Sequence, residues 1–156
     1  MVDSTRLAVV VLAAGQGKRM QSGLPKVLHP LAGRPMIQYV LGAARALQPE
    51  RLVIVIGHKG DQVRAALGDQ DITFVEQAER LGTGHAVLQA ERAAGDCNAV
   101  MVLYGDMPLL RAATLQALWR RYREGNGPLA MLVVNDSVSR LWAYRTRRAG
   151  PGAGHC

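Results

Sequence analysis

The sequence predicts an α/β fold: a largely parallel sheet with helices packed on both faces. Three observations carry this. Short apolar, β-branched runs alternate with segments of helical period along residues 7–134. The first run, Leu7–Ala14, is apolar without interruption, as expected of a strand covered on both faces. The length of 156 residues suits one domain, and a chain 49% hydrophobic but only 4% aromatic must build an aliphatic core.

Taken in order, Val9-Val10-Val11 makes Leu7–Ala14 extended rather than helical, because β-branched side chains are stiff and crowd a helix. Pro35–Leu47 sets Met36, Val40, Ala44 and Leu47 on one helical face, with Pro35 near the first turn. Arg51–Ile56 is a second strand, Gly60–Leu67 a short helix and Ile72–Val75 a third strand. Gly84–Ala94 is helical, with Thr83 as its expected N-cap. Ala99–Tyr104 is a fourth strand, and Ala112–Arg123 a helix with Leu115, Leu118, Trp119 and Tyr122 at the right spacing. Leu129–Val134 is a fifth strand. The organised part spans residues 5–135, and residues 136–156 form an irregular tail with neither strand nor helix period.

Composition excludes several classes. No apolar run approaches the roughly 18 residues that cross a bilayer, so no membrane partner is expected. Arg6 and the apolar run after it imitate a signal peptide. However, Asp3 is acidic and Gly15-Gln16-Gly17-Lys18-Arg19 offers no small-residue cleavage site. Cys97 and Cys156 have no metal or disulfide spacing, which leaves a reducing cytoplasm as the expected location. The net charge of +7 is uneven: residues 136–156 carry a surplus of three, leaving +4 over the first 135 residues. No basic stripe is interleaved with aromatics, so no nucleic-acid partner is expected. A mildly basic body suits a small anionic substrate.

In such sheets, ligands bind beyond the carboxyl ends of the strands. After the first strand stands Leu12-Ala13-Ala14-Gly15-Gln16-Gly17-Lys18-Arg19, and a loop then leads to Pro25-Lys26-Val27-Leu28. Two glycines there let backbone N–H groups approach an anion, and Lys18, Arg19 and Lys26 add three cations, a combination that suits a triphosphate. The dinucleotide fingerprint fails where Met20 replaces its third glycine, and the P-loop fails where Arg19 follows Lys18. An ordinary glycine turn with solvated charges also fits these residues.

After the fourth strand comes Tyr104-Gly105-Asp106-Met107-Pro108, placing a carboxylate where a Mg²⁺ ligand would face the glycine loop. Gly-Asp and Asp-x-Pro equally make plain turns. After the third strand, Gln77-Ala78-Glu79-Arg80-Leu81-Gly82-Thr83-Gly84-His85-Ala86 offers an amide able to read a base edge and glycines at a helix start. His85 has no Ser or Cys partner in view and takes a structural or capping role. His29 and His58 lie in loops, and no two histidines have metal spacing.

In order and spacing, these motifs resemble the sugar-phosphate nucleotidyltransferase family. More narrowly, Leu-Pro-Lys-Val-Leu-His, Leu-Ala-Gly-Arg-Pro-Met and Gln-Ala-Glu-Arg-Leu-Gly-Thr-Gly-His-Ala resemble the uridylyltransferase domain of bacterial bifunctional N-acetylglucosamine-1-phosphate uridylyltransferases. The likeness covers about residues 5–135, the N-terminal portion of that domain. It implies a Rossmann-like sheet of the nucleotide-diphospho-sugar transferase type. It also implies UTP and N-acetylglucosamine 1-phosphate as substrates, Mg²⁺ as cofactor, and UDP-N-acetylglucosamine and pyrophosphate as products for cell-wall synthesis.

By motif position, Leu12, Ala13, Ala14 and Gly15 would line the nucleotide, while Lys26 would contact its phosphates. Gln77, Gly82 and Thr83 would hold the uracil. Tyr104 and Gly105 would lie near the substrate, Asp106 would hold the metal, and Arg19 would stabilise the transferring phosphates. Members of the family are much longer. Their remaining part, which would supply most of the acceptor pocket and an Asn metal ligand, has no counterpart here, nor has the trimerising acetyltransferase domain. Two alternatives are a transferase of another nucleotide, such as a molybdenum-cofactor guanylyltransferase-like protein, and a non-catalytic UTP-binding fragment.

The tail also bears on the gene. The family places Gly-Tyr-Gly-Arg-Ile after the fifth strand, where this chain has Arg140-Leu141-Trp142-Ala143-Tyr144-Arg145. Codons CGG-CTA-TGG-GCG-TAT-CGN, read one base later, encode Gly-Tyr-Gly-Arg-Ile, with TGG forced by Trp142. A single-base frameshift near Val134–Ser139 is the expectation. Resequencing decides it: a shifted frame closed by stop codons would exclude the idea.

Overall fold

The computed structural model describes residues 5–15, 22–57, 59–68, 71–79, 81–125 and 127–133. In chain order the elements are β1 (Leu7–Ala13), a 3-10 turn (Lys26–Leu28), β2 (Pro30–Leu31), β3 (Arg34–Pro35), α1 (Met36–Arg45) and β4 (Arg51–Ile56). These are followed by α2 (Gly60–Leu67), β5 (Thr73–Glu76), α3 (Thr83–Gln89), α4 (Glu91–Ala94), β6 (Ala99–Tyr104) and α5 (Ala112–Glu124). The four longer strands form a parallel sheet in the order β5-β4-β1-β6. Central β1 pairs Val10 with Val53 on one side and with Val102 on the other.

Burial on both faces explains the uninterrupted apolar character of β1. Its residues Leu7, Val9, Val11 and Ala13 join Ile54 and Met101 under Ile37 and Val40 of α1, Val63 of α2 and Leu115 of α5. Val10 faces the other way and packs with Val53 and Val55 under Ala86 and Ala90. The second face is covered over β1 and β4, whereas over β6 Val100, Val102 and Tyr104 are exposed and no helix among the described residues packs on them.

The strand order also locates a crevice. From β1 the chain moves outward to β4 and β5, then crosses back to place β6 on the far side of β1. Right-handed crossovers travelling in opposite directions carry their helices to opposite faces. The carboxyl ends of β1 and β6 therefore border an opening at that edge of the sheet, the topological switch point. Among the described residues, no helix is long and apolar enough to cross a membrane.

Several expectations need correction. Leu129–Val134 is not a strand over its described part: residues 129–133 are irregular, and Val134 lies outside the described residues. Strand propensity is realised only against a partner, and Leu129, Met131 and Leu132 instead line a groove with Trp119 and Tyr122 of α5. The helix expected over Gly84–Ala94 is two helices. At Ala90 the chain tightens, its N–H bonding the Val87 carbonyl at 3.0 Å, which seats Ala86 and Ala90 together on the sheet. Thr83 is not the N-cap but the first helical residue. The cap is Gly82 at φ +97°, a conformation that a β-branched residue resists. The short hairpin of β2 and β3 is legible in no alternation of the sequence. The tail, 136–156, lies outside the described residues.

Candidate functional site

A cleft of about 310 Å³ opens at the carboxyl end of the sheet, lined by Leu12, Ala14, Gly15, Lys26, Gln77, Gly82, Thr83, Tyr104 and Asp106 together with Val27 and Ala86. Four separate stretches of sequence thus meet in one place. Pleating explains which residues of the first stretch take part: Leu12 and Ala14 face the cleft side of the sheet, whereas Ala13 turns into the opposite core. Ala13 can serve a ligand only through its backbone. Gly15 leaves open space where a side chain would stand, with no described protein atom within 4 Å of the Cβ position.

The loop after β1 is held from both flanks. Gly105 donates its N–H to the Leu12 carbonyl at 2.9 Å. On the other side Gly57 packs so closely that a Cβ there would lie 2.9 Å from the Ala14 carbonyl oxygen. Gly57 is a supporting residue that the sequence reading passed over, since its role depends on two strand ends meeting. Gly105 does not line the cleft; it contributes by fixing β6 against β1. Arg19 lies outside the described residues.

Lys26 opens the 3-10 turn that follows Pro25. Val27 and Leu28 are buried and anchor the turn, which leaves Lys26 free to face the cleft. Its Nζ meets Asp106 Oδ2 at 2.5 Å. Asp106 sits in the turn after β6, where Met107 N–H bonds the Tyr104 carbonyl at 3.3 Å. Tyr104 ends a strand whose residues alternate inward and outward, and its side chain is on the exposed side. Both members of the Lys26–Asp106 pair remain partly open to solvent.

Gln77 is the one buried polar side chain among the described residues, at 5% exposure. Its backbone N–H bonds the Ile56 carbonyl at 2.8 Å, prolonging the link between β5 and β4. Its side-chain nitrogen lies 3.1 Å from the Gly82 carbonyl and 3.1 Å from His85 Nδ1. The structural role expected of His85 is thus a partnership with Gln77 and, 3.0 Å from Nε2, with the amide of Gln89.

The residues can be tested against a divalent cation. Among the described residues no three His, Cys, Asp or Glu side chains come together. Asp106 offers one carboxylate at the cleft wall, with its Oδ2 paired to Lys26. That fits Mg²⁺ of the kind held by one or two carboxylates, with substrate phosphates and water completing its shell. It does not fit a structural zinc or calcium cage.

Comparison with known proteins agrees with this architecture. Bifunctional protein GlmU of Burkholderia multivorans is 54% identical over 128 residues, which are 82% of this chain and 28% of that protein. The chain thus spans little more than a quarter of the length of the curated relatives it matches. A solved nucleotidyl transferase from Methanothermobacter is 27% identical with a TM-score of 0.66, covering 74% of this chain and 57% of its own. A Mycobacterium tuberculosis protein crystallised as a complex with manganese is 26% identical with a TM-score of 0.58, covering 75% of this chain and 59% of its own. The family model described as MobA-like NTP transferase domain matches residues 9–151, more than nine-tenths of the chain, and the chain belongs to that family.

Proposed function

We propose that the cleft binds UTP together with Mg²⁺ and serves uridylyl transfer to N-acetylglucosamine 1-phosphate, giving UDP-N-acetylglucosamine and pyrophosphate. The observation that carries this is the convergence of Leu12, Gly15, Lys26, Gln77, Gly82, Thr83 and Asp106 on one cleft. The 54% identity to a GlmU protein supports uridine and this acceptor over other family chemistries.

The chemistry asks little of side-chain acids and bases. A sugar phosphate has a second pKa of about 6, so its oxygen is already largely anionic at neutral pH. That oxygen bonds to the α-phosphorus of UTP while the bond to the bridging oxygen of the β-phosphate breaks and pyrophosphate leaves. No general base is required. The protein has to hold two polyanions in line and offset charge as it builds on the α-phosphate.

Lys26 supplies a mobile cation to the phosphates, and Arg19 is assigned the same task. The backbone from Leu12 to Gly15 seats the nucleotide, with Gln77, Gly82 and Thr83 at the base. Asp106 would hold Mg²⁺, which when bound neutralises phosphate charge. A cytoplasmic location belongs to the same reading, with neither membrane nor nucleic acid as partner.

A second reading is binding without turnover: among the described residues Asp106 is the one carboxylate lining the cleft, and no cluster of three metal-ligating side chains stands there. Calorimetric titration with UTP, GTP and CTP, with and without Mg²⁺, followed by a pyrophosphate-release assay with N-acetylglucosamine 1-phosphate, separates the two. UTP binding enhanced by Mg²⁺ supports the site. Turnover of at least about 1 s⁻¹, the low end of ordinary enzymes, supports transfer by this chain, and binding without it supports the second reading. Preference for GTP, or no nucleotide binding, would overturn the uridylyl assignment.

A further inference from the structure

The hydrogen bonds around Gln77 have a direction. The Gly82 carbonyl can only accept, so the group 3.1 Å from it must be the amide nitrogen of Gln77 and not its oxygen. The same nitrogen faces His85 Nδ1 at 3.1 Å. An NH₂ group donates twice, and its second proton requires Nδ1 to be an acceptor. His85 then carries its proton on Nε2. The Gln89 amide, whose nitrogen stands 3.0 Å from that atom one helical turn along α3, has to turn over so that its oxygen receives the proton. Turning the Gln77 amide over would set its oxygen against the Gly82 carbonyl, acceptor against acceptor.

With both amide protons committed, one polar atom of Gln77 is left. Oε1 has no hydrogen-bond partner among the described residues, and it is not among their fully buried unpartnered atoms, so it keeps contact with the cleft that Gln77 lines. A carbonyl oxygen locked in this way is an acceptor only. It matches a ring N–H and mismatches a ring nitrogen lone pair. Uracil carries a proton on N3 at neutral pH, whereas cytosine presents a lone pair there.

We propose that His85 is a positioning residue for base selection: by taking one amide proton of Gln77 while the Gly82 carbonyl takes the other, it presents Gln77 Oε1 as an acceptor that favours uracil over cytosine. This rests on the nucleotide-binding reading above. A site built to hydrogen-bond one pattern rejects the opposite pattern strongly, because its buried polar group is left unpaired. Without His85 the Gly82 carbonyl holds the amide by one proton instead of two, the acceptor Oε1 is aimed less firmly, and the rejection weakens.

Two measurements on the full chain test it. Nitrogen-15 NMR of the wild-type protein should show His85 protonated on Nε2 and bare on Nδ1 at neutral pH; a proton on Nδ1 overturns the proposal without any variant. Dissociation constants for UTP and CTP should differ at least tenfold in favour of UTP in the wild type. They should converge by about tenfold in His85→Ala, and separate again in His85→Asn, whose side-chain oxygen can replace Nδ1 as acceptor. A merely structural role would weaken both nucleotides together, and an unchanged ratio in His85→Ala overturns the proposal while leaving UTP binding intact. Wild-type protein that binds neither nucleotide overturns the underlying reading instead, and this proposal with it.

Discussion

Lys26 and Asp106, 80 residues apart in sequence, meet at 2.5 Å between Nζ and Oδ2 across the mouth of the cleft. Each comes from a loop that follows a strand or its extension, and neither loop dictates the other. In the free protein each charge is the other's counterion. On the proposed reading a triphosphate would bring several negative charges to the same place, so Lys26 would exchange one carboxylate oxygen for phosphate oxygens and Asp106 would be released.

Lys26→Ala should weaken UTP binding at least about tenfold, in keeping with loss of a charge-assisted bond worth roughly 1.5–3 kcal/mol. Titration calorimetry at fixed ionic strength checks this. An unchanged dissociation constant would remove Lys26 from the phosphate site.

Asp106→Asn should not weaken UTP binding without Mg²⁺, because it removes the carboxylate that competes for Lys26, and should abolish the enhancement that Mg²⁺ brings. The amide keeps the shape of the side chain but offers a far poorer ligand to a hard cation. The decisive comparison is UTP affinity with Mg²⁺ and with chelator in both proteins. A surviving metal effect would place the cation on other ligands.

Gly57→Ala should destabilise the fold by about 1–3 kcal/mol, the usual range for overpacking, and weaken UTP binding with it. The added methyl would stand 2.9 Å from the Ala14 backbone oxygen, which must move and carry the end of β1 along. Urea denaturation measures the first effect and UTP titration the second. Wild-type values in both would show that the β1 loop tolerates the shift.

Arg45 and Asp71 form a two-pronged ion pair, with both contacts at 2.6 Å, that ties the end of α1 to the approach of β5. The hydrogen bond from Arg45 holds the Asp71 carboxyl below its usual range, aided by the guanidinium charge and opposed by slight burial. A carboxyl depressed in the folded state contributes stability above its unfolded value of about 3.9, and loses it as pH falls through the folded value. Both side chains are about half exposed, which limits the effect to under about 1 kcal/mol. Arg45→Met should therefore be less stable than wild type in urea at pH 6, with the gap closing below pH 4. A gap independent of pH would assign the loss to packing of the Arg stem.

The chain's own chemistry marked β1, β4 and β6 as extended, because apolar runs rich in Val, Ile and Leu are stiff at the side chain and too short for buried helices. It also marked the residues of the cleft, since glycines, a lysine, an amide and a carboxylate after successive strands have to collect where a parallel sheet ends. Only the tertiary structure decided what those residues do to one another. The ion pair of Lys26 with Asp106, the grip of Gly57 on Ala14 and the orientation of Gln77 between Gly82 and His85 depend on strand order and loop approach. The break of the α3–α4 segment at Ala90 answers to the sheet beneath it. Leu129–Val133 shows the limit most plainly: its composition favours a strand, but a strand exists only when a neighbour supplies the other half of its hydrogen bonds.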